Sequence, residues 1–167
     1  WKHSVAAALA AELMQPHTKV EIPRESFTGA LLHDIGKLVL ARFLSGDILR
    51  IMDNARNAGV ADPIALELEV LEVHHGEVGA AIAEAWKLPA SIVRAIQYHH
   101  DPDTGGDTVC HVIALANEIA HDIDSEEFNP QTLRESSRSV LALSEASCVD
   151  LRKQVQTRVT EVMARFV

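Results

Sequence analysis

Apolar side chains recur at three- and four-residue spacing along most of the chain, the repeat of helices with one face turned inward. Residues 1–15 carry Val5, Ala8, Leu9, Leu13 and Met14 on one face, and residues 16–22 read as a loop. Pro23 suits a first helical position, and the pattern predicts one helix from there to Leu44. Ser45-Gly46 breaks it, and an amphipathic helix is expected over 47–58, before Gly59. Asp62-Pro63 reads as a capped start, with helix to Lys87 interrupted near 73–76, where Gly76 and two adjacent histidines gain little from a helix interior. A further helix starts at Leu88-Pro89 and ends near His100, because Pro102 disfavours helix just before it. Residues 103–107 read as a loop, 108–123 as a helix, 124–130 as a linker and 131–139 as a short polar helix. A last helix covers 144–167, with Val149, Val155, Val159, Val162 and Phe166 at helical spacing. The expected fold is all-α: a multi-helix bundle with a core over 1–123 and a C-terminal extension, 124–167, packed on it.

Composition agrees. Hydrophobic residues make up 47% of 167 positions, enough for one core, and aromatics only 4%, which suits helices better than a sandwich. The net charge of −9 argues against a general nucleic-acid surface. No apolar run approaches the roughly 20 residues of a membrane span and no signal-peptide pattern is present, so the expected location is the cytoplasm. Cys110 and Cys148 have no nearby cysteine and read as buried thiols. Trp1 reads as the middle of a helix, so the chain is expected to belong to something longer.

The chemistry concentrates in His33-Asp34-Ile35-Gly36-Lys37. Imidazole beside carboxylate suits divalent ions of borderline to moderate hardness. Gly36 is expected to leave room beside such an ion, and Lys37, four residues after His33, to face a phosphate oxygen. Two ligands hold a metal poorly, and His3, His75, His99 and His100 are the available supply. For His33-Asp34 alone a buried structural ion pair is an equal reading. The further histidine pairs at helix ends tip the balance, since a metal uses lone pairs that are otherwise costly to bury. His17, His111 and His121, each alone, read as surface or locally bonded residues.

These residues resemble the HD superfamily of metal-dependent phosphohydrolases, and within it the HD-related output domain, HDOD. The resemblance lies in Trp1-Lys2-His3-Ser4, in Leu31-Leu32-His33-Asp34-Ile35-Gly36-Lys37-Leu38-Val39-Leu40, in His74-His75-Gly76-Glu77 through Trp86-Lys87-Leu88-Pro89, and in His99-His100-Asp101-Pro102. It implies His3 as the first histidine and His33-Asp34 as the dyad. Asn117 stands where HD hydrolases carry their last aspartate, which should weaken the ion held there. His75, His99 and His100 correspond to the added histidines of two-metal relatives. The resemblance implies one or two divalent ions (Zn, Mn, Fe or Mg), Asp34 and Lys37 in catalytic roles, and a phosphate-ester or nucleotide ligand. It also implies a further helical half before Trp1, through which a protein partner could act. No Gly-Tyr-Pro element follows His99-His100, so cyclic-dinucleotide esterase activity is not implied. Two functions follow as expectations: a bacterial signalling output module with a vestigial site, or a working metal-dependent phosphohydrolase.

Overall fold

The computed structural model describes residues 1–44, Gly46, Arg50 and residues 63–165. The helix expected over 47–58 and its cap at Asp62 lie outside the described residues. Helices α1 (Lys2–Leu13), α2 (Ser26–Leu32) and α3 (Ile35–Phe43) come first, followed by α4 (Pro63–Leu71), α5 (His75–Ala85) and α6 (Ala90–Gln97). Then come the short α7 (Pro102–Gly105), α8 (Thr108–His121), α9 (Glu135–Val140) and α10 (Glu145–Met163). No strand occurs among the described residues, as the periodicity requires, and no helix there is long and apolar enough to cross a membrane.

Helix α1 is the hub. Ala6 to Ala11 are all buried, so it presents no polar face along this stretch. A helix apolar all round belongs inside, and alanines let neighbours approach closely. It packs against α2, α8 and α10. Helix α8 is also buried along most of its length, from Val109 to Ala120 with only Glu118 partly open. Leu151, Val155 and Val159 of α10 join the same core as Ala7, Ile113 and Leu115. The valine ladder of the last helix therefore packs on its own bundle. Arg152 secures this packing: its guanidinium donates to the carbonyls of Asp122, Ile123 and Ser125, groups left over where α8 ends.

Three boundaries depart from the periodicity. The helix expected over 23–44 starts only at Ser26 and is split by a turn at His33-Asp34. Residues 102–105, expected to lie largely in a loop, form one helical turn closed by Gly106 in the left-handed region, φ 73°. Within the expected polar helix over 131–139, the chain makes a 3₁₀ turn at Pro130–Thr132 and then α9. The interruption expected near 73–76 is present, and the histidine pair explains it. His74 caps α5: its ring accepts from the Gly76 N–H at 3.1 Å, while Glu77 reaches back to the His74 N–H at 3.1 Å. Glu72 takes φ 60° just after α4, and Glu67 of α4 reaches the start of α5, where it accepts from the His75 N–H.

Candidate metal centre

The break between α2 and α3 sets the geometry of the site. His33 ends α2 and Asp34 precedes α3, with φ −98° and ψ 10°, so the two residues are not consecutive positions on one helical surface. Asp34 reaches in two directions. Its Oδ2 lies 3.5 Å from His33 Nε2 and 3.7 Å from His3 Nε2. Its Oδ1 lies 3.2 Å from His75 Nε2 and 3.8 Å from His99 Nε2. Helix α1 thus brings His3, the α2–α3 turn the dyad, α5 His75, and the turn after α6 His99 and His100. Two triads have all their ligand atoms within 4.8 Å of one another: His3, His33 and Asp34, and His75, His99 and His100. Asn117, buried on α8, puts Oδ1 3.2 Å from His33 Nε2.

The imidazoles are aimed. His33 donates from Nδ1 to the Ala30 carbonyl at 2.6 Å, and His99 donates from Nδ1 to the Ile96 carbonyl at 2.7 Å. His75 donates from Nδ1 to Glu67 Oε2 at 2.7 Å. With Nδ1 carrying the proton, each Nε2 presents a lone pair to the centre. Those lone pairs meet. Nε2 of His75 is 3.2 Å from that of His99 and 3.1 Å from that of His100, and the Nε2 atoms of His3 and His33 are 3.2 Å apart. Nitrogens sharing one ion at ~2.0–2.1 Å stand roughly 3 Å apart, the spacing found here. Asp34 Oδ1 is buried and has no hydrogen-bond donor in good geometry. Converging lone pairs around an orphaned carboxylate oxygen fit a divalent cation.

The electrostatics favour neutral imidazoles at His3, His33, His99 and His100 and an ionised Asp34, while His75 leans the other way. Burial pushes the pKa of His3, His33 and His99 down, and takes His100 to about 3, with the His75 charge adding to the effect for His100. Burial opposes ionisation of Asp34, but His75 beside Oδ1, with His33 and Lys37 close by, outweighs it and holds the carboxyl far below its usual range. Burial also works against a charged His75, yet the Asp34 and Glu67 carboxylates beside its two ring nitrogens prevail and raise its pKa.

One sequence expectation needs correction. Gly36 does not make room for an ion: a Cβ there would stand 2.0 Å from the His75 carbonyl oxygen and 2.8 Å from Gly79 N. The glycine instead lets α3 touch the backbone of α5, which brings Asp34 to His75. Lys37 Nζ donates to Asp34 Oδ2 at 2.8 Å. Glu67 was missed altogether, because a glutamate in an apolar helix eight residues before a histidine has no spacing that marks it. Of the lone histidines, His111 is buried 3.2 Å from Ser137 Oγ, and His121 sets its ring 4.4 Å from that of His3.

A cavity of about 330 Å³ opens beside the centre, bordered by His3, Asp34 and Lys37 and walled by Val5, Leu31 and Leu38.

Residues 1–102 match the HDOD domain family, and the chain belongs to it. Among solved structures, a protein from Shewanella amazonensis described as a candidate phosphohydrolase superposes with a TM-score of 0.71 at 26% identity, over 93% of this chain and 60% of that one. The MmoQ response regulator of Methylococcus capsulatus superposes with a TM-score of 0.64 at 25% identity, over 91% of this chain and 59% of that one. Ribonuclease Y of Thermus thermophilus is 30% identical over 91 residues, 54% of this chain but only 16% of that enzyme. The chain therefore corresponds to a part of each of these proteins.

Proposed function

We propose that this HDOD module binds two divalent cations, one on each side of Asp34, and acts on a phosphate ester at the adjoining cavity as part of a larger signalling protein. The observation that carries the reading is the shared carboxylate: one oxygen of Asp34 turns to His3 and His33, the other to His75 and His99. His3, His33, Asp34 and Asn117 would hold one ion, and His75, His99, His100 and Asp34 the other. Bound divalent metal lowers the pKa of water and polarises phosphoryl oxygens. Lys37, at the cavity edge, neutralises Asp34 and offers a positive charge to an incoming phosphate. Val5, Leu31 and Leu38 give the cavity an apolar wall against which the organic part of an ester could rest. The response-regulator likeness supports the signalling context, and the phosphohydrolase likeness supports the substrate class.

A second reading, a signalling module that binds metal without turnover, is favoured by one residue. Asn117 offers a neutral oxygen to the His3–His33 side, where a carboxylate would bind a cation more strongly. Asn117→Asp separates the two. With Mn²⁺ and bis(p-nitrophenyl) phosphate, the variant is expected to bind the ion roughly tenfold or more tightly, because ligand charge sets affinity at oxygen-rich sites, and to release nitrophenolate faster than the parent. If parent and variant both bind metal and neither releases nitrophenolate, the reading without turnover holds. If the substitution changes neither affinity nor rate, Asn117 is not part of the centre.

A further inference from the structure

The two sides of Asp34 are unequal in charge. On the Oδ1 side, Glu67 backs His75: a single oxygen, Oε2, accepts both the His75 backbone N–H and its Nδ1–H, each at 2.7 Å. Glu67 is 2% exposed. A carboxylate that buried is expensive unless positive charge lies nearby, and a cation on the far side of the His75 ring completes its compensation. Through the ring, Glu67 also fixes the tautomer and makes Nε2 a stronger donor to metal. On the Oδ2 side the corresponding supports are neutral. His33 leans on a backbone carbonyl and faces the Asn117 amide. The nearest full charge there has the wrong sign for a cation: Lys37 Nζ sits 2.8 Å from Oδ2 and competes for that oxygen.

We propose that the centre is graded, an inference that rests on the metal-binding reading above. The His75–His99–His100 side is the tight cation site, with Glu67 as its positioning residue. The His3–His33–Asn117 side is a weaker, exchangeable site, so its occupancy follows the supply of cation. Negative charge one hydrogen bond behind His75 favours retention on one side. A neutral amide and a competing ammonium favour release on the other.

Cobalt reads this directly, since ligand-field absorption reports each site as it fills. The metal-free chain titrated with Co²⁺, followed by visible absorption and calorimetry, is expected to show two steps, the first at least about tenfold tighter. Glu67→Gln keeps an acceptor but removes the charge. It is expected to weaken the first step by about 10–100-fold, the usual cost of losing a partner behind a metal-bound histidine, and to leave the second step unchanged. Lys37→Met, at a half-exposed position, is expected to tighten the second step alone, which keeps the test valid if Glu67→Gln fails to fold. Equal weakening of both steps by Glu67→Gln, or no weakening of the first, would overturn the graded centre. So would a Lys37→Met variant with both steps unaltered. Failure of the parent chain to take up any Co²⁺ is a different result, and would overturn the metal-binding reading beneath it.

Discussion

Asp34→Asn is expected to strip metal from both sides of the centre at once. No other residue of the centre has one oxygen turned to each triad, with four histidine nitrogens between 3.2 and 3.8 Å from its carboxylate. Replacing the carboxylate by an amide removes the one formal negative charge both sides share, and leaves Lys37 facing the site without its ion pair. Removing an outer partner of a metal ligand typically costs ~10–100-fold in affinity. Losing a shared ligand should exceed that, so each step weakens by more than about 100-fold. The fold should survive, because the Asp34 side chain makes no capping bond to α3. Elemental analysis after dialysis, alongside circular dichroism, gives the answer. A folded variant that still retained both ions would show that Asp34 does not bridge them.

Gly36→Ala pits two effects of opposite sign against each other. Gly36 is the second residue of α3, where alanine is favoured over glycine by less than the interior value of about 1 kcal/mol, so propensity alone predicts a slightly more stable protein. Packing predicts the reverse. The new methyl would meet the His75 carbonyl at 2.0 Å and the Gly79 backbone nitrogen at 2.8 Å, and neither can swing aside as a side-chain tip could. Forcing one carbon into a packed contact commonly costs about 1–3 kcal/mol, and a clash with backbone belongs at or above the top of that range. The net expectation is a loss of about 2 kcal/mol or more in urea unfolding, with weaker metal binding as α3 and α5 part. A variant as stable as the parent would mean the two helices are not in backbone contact.

Much of this was legible in the residues. The all-helical fold, the break at His74-His75 and the set of imidazoles around His33-Asp34 follow from periodicity and from the paired histidines and the dyad read together. The likeness to HD hydrolases supplied the order of the ligands, including Asn117. What the pattern hid has physical causes. The apolar positions of 26–43 keep a helical repeat straight through the dyad, so nothing marks the turn that points Asp34 both ways. Gly36 reads as space, but space for what depends on α5, thirty-nine residues downstream of it at His75. Glu67 reads as one more solvated charge in α4. Its burial depends on the fold, which sets the carboxylate against His75 at the start of the next helix. Residues that act through a distant partner carry no local signature.

The most direct test of the central claim is diffraction at the metal absorption edge, from crystals of this chain grown with Mn²⁺ or Zn²⁺. The account predicts two anomalous peaks, one on each side of the Asp34 carboxylate. The stronger should be surrounded by His75, His99 and His100, the weaker by His3, His33 and Asn117. An ordered centre with no anomalous scattering among these seven residues would contradict it.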